Sequence, residues 1–115
     1  MEVYTTKTDK VNLVTNFLMN GPQCGWLFLV GASAGGEGKS MATNEAIELC
    51  KKSFGEDSIV RLPCNNDSNA YKLVLMKKDS TIVKTIVHVN NWNPHWEFMA
   101  SEWDAQVARF ERSDL

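Results

Sequence analysis

The sequence predicts an α+β domain: about three helices packed on a small four-stranded sheet, mixed or antiparallel. Three observations carry that expectation. Apolar residues recur at helical spacing in three segments of the chain. Short apolar or β-branched runs lie between those segments. Glycine, proline and asparagine punctuate the joins. With 115 residues, 43% hydrophobic and 23% charged, the chain fits one domain over residues 1–115 with a core of ordinary size.

The expected order is α-β-α-β-β-β-α. A first helix starts near Thr8 or Asp9, both good N-caps, and repeats Val11, Val14, Phe17 and Leu18 on one face before Gly21-Pro22 stops it. Gln23 to Val30 reads as a buried strand. A second helix runs from about Ser40 to Phe54, with Ala42, Ala46, Ile47, Cys50 and Phe54 facing the core and Gly55 ending it. Ser58 to Leu62 is a strand that ends at Pro63, and Cys64 to Ala70 reads as a polar loop. Tyr71 to Met76 and Thr81 to Val89 form a hairpin, in whose second strand Ile82, Lys84, Ile86 and His88 share a face. Asn93-Pro94 opens a last helix that places Trp96, Met99, Trp103, Val107 and Phe110 in one stripe. Val3 to Thr6 offers an extra edge strand.

Charge and cysteine usage exclude several functions. A net charge of -2 and a pI near 5.6 give no basic field for nucleic acid. Three cysteines without C-x-x-C spacing make neither a disulfide framework nor a zinc knuckle and suit a reducing cytoplasm, the cell's own or a host's. The start Met1-Glu2-Val3-Tyr4 lacks the pattern of a signal peptide, and the apolar run Trp26 to Val30 is too short to span a bilayer. His88 and His95 have no third ligand at zinc spacing, so no metal and no cofactor is expected.

The segment Gly31-Ala32-Ser33-Ala34-Gly35-Gly36-Glu37-Gly38-Lys39-Ser40 stands between a buried strand and a helix and holds four of the chain's seven glycines. As a plain connector, its glycines let the chain turn sharply, with Lys39 in solvent and Ser40 as an N-cap. As an anion cradle, Gly35, Gly36, Gly38, Lys39 and Ser40 would present backbone N–H groups, a cation and a hydroxyl to a phosphate at a helix N-terminus. The run Gly36 to Ser40 resembles the end of a Walker A loop, G-x-x-x-x-G-K-[ST], and the nucleotide loop of some viral replication-initiator helicases. That resemblance implies Lys39 on the terminal phosphates and Ser40 near magnesium. The sequence departs from the pattern in having Ser33 where the first glycine belongs, and no strand ends in a metal-binding Asp. Gly31-Ala32-Ser33-Ala34-Gly35 also looks like the G-x-S-x-G elbow of α/β-hydrolases, which implies Ser33 as nucleophile, His88 or His95 as base and Asp67 or Asp79 as orienter.

The connector reading leads. With no complete catalytic constellation, the expected function is a non-catalytic protein-binding module, an inhibitor or adaptor acting on another protein through Trp92, Asn91 and His95. Trp92 in a polar loop has the character of an interface anchor. The alternative is a nucleotide- or phosphate-binding protein that uses Ser33 to Ser40.

Overall fold

The computed structural model describes residues 2–31, 36–64, 67–77, 80–91 and 93–112. Strand β1 (Glu2–Tyr4) leads through α1 (Lys7–Asn20) to β2 (Trp26–Gly31), and β2 leads through α2 (Lys39–Phe54) to β3 (Ile59–Cys64). The chain then returns as β4 (Asp67–Lys77) and β5 (Ser80–Val89), and α3 (Pro94–Glu102) carries it to β6 (Gln106–Phe110). The sheet has the order β1-β6-β2-β5-β4-β3. β1, β6, β2 and β5 pair in parallel, whereas β4 is antiparallel to both its neighbours, so every strand but β4 points the same way.

The α+β class and the three helices agree with the sequence reading, but the sheet has six strands and not four. The two added strands sit side by side at one edge. β1 fills the edge position expected near Val3, in register with β6 from Glu2↔Ala108 to Tyr4↔Phe110. β6 replaces the second half of the expected last helix. α3 ends in a Schellman motif: Ala105 N–H donates to the Ala100 carbonyl, Asp104 N–H to that of Ser101, and Asp104 takes a φ of 50°. Beyond it the side chains alternate, Ala108 and Phe110 into one core and Val107 toward the other. A five-residue strand covered on both faces shows no polar alternation, which is why its apolar positions also fitted a helical stripe. Trp103, expected in the core, is the C-cap of α3 and 41% exposed, stacked on Trp26 with ring centroids 4.6 Å apart.

One further boundary moves, and one helix ends where expected but in another conformation. The expected polar loop at 64–70 is partly strand, because β4 pairs with β5 as far back as Ala70↔Val87 and pairing overrides the low β-propensity of Asp, Asn and Ser. Gly21 ends α1 at φ -69° and not in the left-handed region. Glycine is needed there because a Cβ would stand 2.5 Å from the Phe17 carbonyl oxygen.

Alternation along β2 sorts the core into two layers. Leu27 and Leu29 face α1 and α2 with Val14, Phe17, Leu18, Ala42, Ala46 and Cys50. Phe28 and Val30 face α3 with Val87, Val89 and Ala100. The helices therefore cover opposite faces, α1 and α2 on one and α3 on the other. Lys84, 1% exposed, closes the end of α1 by donating to the Gly21 and Pro22 carbonyls at 2.6 and 2.9 Å.

Candidate functional site

Parallel strands place their C-terminal ends at one edge, and the connections decide where that edge opens. β2 leaves toward the α2 face, while its neighbour β5 leaves toward the α3 face. Two adjacent strands whose connections part in this way leave a crevice beyond their carboxyl ends, the usual seat of ligands in open sheets. Gly31 and Val89 mark the two ends, and the glycine-rich segment starts at this point.

Lys39 reaches the sheet edge where β2 and β5 end. As the first residue of α2 it is only 7% exposed. Its Nζ lies 3.5 Å from the Val89 carbonyl oxygen and 3.7 Å from Glu37 Oε2. Both contacts are long for a charged donor, which normally sits nearer 2.8 Å. Gly31 makes the approach feasible: a Cβ there would fall 2.5 Å from Lys39 Nζ and 3.1 Å from Glu37 Oε2. The sequence reading left Lys39 in solvent when the loop was taken as a connector, and the structure corrects this. A lysine four bonds beyond its Cβ reaches the sheet edge from the first helical turn, and only the fold places a strand end there.

Gly36 and Gly38 have φ values of 83° and 88°, a conformation that glycine adopts without strain. Gly38 is the N-cap of α2 and makes no side-chain cap bond, so the expected cap at Ser40 is displaced: Ser40 is exposed in the first turn.

Other cations surround this point although the chain is acidic overall. The Arg112 guanidinium lies over Gly36, with Nε 3.4 Å from where a Cβ would be. Lys10, 2% exposed on α1, donates to the Glu37 carbonyl at 2.6 Å and to the Glu111 carbonyl just past β6, tying the loop to the last strand. Burial lowers the pKa of Lys10, and the Glu37 carboxylate opposes that shift. His88, on β5 facing α2, is held down to about 4 by burial first and then by the positive charges of Lys39 and Arg61. The ring is therefore neutral at pH 7, chiefly because it is buried and to a lesser extent because Lys39 and Arg61 lie near it.

Of the residues named for the anion cradle, Gly36, Gly38, Lys39 and Ser40 lie together at the start of α2, with Lys39 buried and Ser40 exposed; Gly35 lies outside the described residues. Ser33 of the elbow reading also lies outside them, and His95 is exposed at the start of α3, on a different element from His88. For the partner-contact reading, Asn91 and His95 are exposed and Trp92 lies outside the described residues. The position of Arg112 over Gly36 went unread because a lone arginine after the last strand carries no motif. Among the described residues no group of three His, Cys, Asp or Glu side chains could hold a metal ion, and no helix is long and apolar enough to cross a membrane. No family model matches the chain, and neither a curated protein nor a solved structure matches it.

Proposed function

We propose that the chain binds a phosphate-bearing ligand, a nucleotide or another polyphosphate, in the crevice at the ends of β2 and β5. What supports this reading most is Lys39: a nine-tenths-buried ammonium aimed at the switch point of the sheet, with only long contacts among the described residues. Burial of an incompletely satisfied cation is costly, and an anion relieves that cost. Gly36 and Gly38 bring backbone close to the same place, the α2 N-terminus favours negative charge, and Arg112 adds a second cation. The reading is one of binding; no group among the described residues is assigned a role in hydrolysis.

The test is the thermal melt with millimolar inorganic triphosphate or ATP, with and without magnesium. A ligand that binds only the native state raises the melting temperature by mass action. The expected outcome is a rise of several degrees that Lys39→Met abolishes while the ligand-free variant still melts cooperatively. An unchanged melt with both ligands sinks the reading.

Contact with another protein remains a second reading because Phe98 is 64% exposed on α3, one turn beyond His95. Asn91, Trp92 and His95 would then share the contact with it. On that reading Phe98→Ser leaves the melt unchanged and neither polyphosphate shifts it.

A further inference from the structure

We infer that Glu37 is a built-in competitor for the seat of Lys39, so that its carboxylate must leave before the loop binds a phosphate. The inference rests on the phosphate-binding reading above and concerns the regulation of that same site. Glu37 is a loop residue, yet it is only 2% exposed. Its carboxylate lies against the bare Cα of Gly31, beside the Lys39 ammonium, with Oε2 3.7 Å from Nζ and 3.1 Å from the position of a Gly31 Cβ. This is the open end of β2, where an anion held by Lys39 would have to sit. A phosphate oxygen and a carboxylate on one ammonium stand within a few ångströms of each other, and in a site shielded from water like charges that close do not coexist.

The backbone on either side of Glu37 is built to adjust when the side chain moves. The Glu37 carbonyl is fixed by Lys10, so the backbone has an anchor on α1. The residues on either side, Gly36 and Gly38, both have positive φ, the two positions at which backbone rotation meets least steric resistance. In the ligand-bound state the side chain turns out of this seat, the two glycines take up the backbone adjustment, and Lys10 keeps its hold on the carbonyl. The ligand-free protein then carries its own counter-ion for Lys39 and rejects weak monovalent anions. A polyphosphate, which brings several charges to Lys39, Arg112 and the α2 N-terminus together, displaces the carboxylate.

Isothermal titration of the whole chain with sodium triphosphate in EDTA tests the inference. Glu37→Gln removes the charge and keeps the shape, and it should bind about tenfold more tightly than wild type, the lower end of what a like-charge contact costs. Glu37→Ala should gain similarly and covers the case in which the glutamine variant folds poorly. Adding Lys39→Met to either should cancel the gain. Wild-type binding that neither Glu37 variant strengthens overturns this inference and leaves the phosphate-binding reading standing. Absence of binding in wild type and both variants overturns the two together. If both variants fail to fold, the Glu37–Lys39 pair is structural and the inference falls.

Discussion

His88 shows how one residue reports the state of its neighbourhood. Its pKa of about 4 against an ordinary 6.5 means that the unfolded chain binds a proton more readily than the folded one between those values. Stability therefore falls as pH drops from 6.5 toward 4 and levels off below that window. From pH 7 to pH 5 the loss from this group is about 2 kcal/mol. Urea titrations of wild type and His88→Gln at both pH values check this: the variant should lose about that much less over the same interval. His88 was legible from the sequence as a sheet residue, and alternation from Ile82 puts it on one face with Lys84 and Ile86. Its electrostatic neighbours were not, because Lys39 and Arg61 reach it from α2 and β3 only once the sheet order exists. Lys39 shows the same limit. The motif made it a candidate phosphate ligand, while its burial depends on Gly31 and Val89, far apart in the chain.

Helix ends separate what local chemistry encodes from what packing imposes. Gly55 closes α2 at φ 109° and ψ 155°, a region that residues with a Cβ essentially avoid, and an added Cβ would meet no atom within 4 Å. Gly55→Ala should therefore cost about 1–3 kcal/mol from backbone strain alone. Chemical denaturation decides it: a neutral result would mean that the turn relaxes to another conformation. Both α2 and the stop at Gly55 were readable in advance, because a glycine after a lysine-rich last turn is a local signal. The end of α3 was not. Asp104 takes the left-handed position that glycine usually fills, and Trp103 and Val107 continued the helical spacing past the true boundary. What converts 106–110 into a strand is a free edge beside β2 and a partner in β1, and neither is written in the segment itself.

At the scale of the whole molecule, the missed strand changed the meaning of the rest. With β6 read as helix, the chain looked like one crossover followed by a meander, and no switch point existed. With β6 in place, β5 and β2 send their connections to opposite faces and the glycine loop lies at their parting. Lys10 holds this arrangement together, joining α1 to the Glu37 carbonyl 27 residues away and to the Glu111 carbonyl 101 residues away. Its aliphatic stem is buried and its ammonium lies 5.5 Å from the centre of the Phe110 ring, so a methionine can fill the same space without the donors. Lys10→Met leaves two carbonyls without their charged partner and should destabilise the fold by roughly 2–4 kcal/mol. Lys7 is the natural control. It stands one turn earlier on the same helix and pairs with Glu45 at 3.0 Å, but both side chains are largely in water. An exposed pair of this kind contributes little, so Lys7→Met should stay within about 0.5 kcal/mol of wild type. Urea denaturation of the two variants side by side tests the contrast. Equal losses would mean that the contacts of Lys10 do not set the stability of the loop edge, and that the crevice is held by the sheet alone.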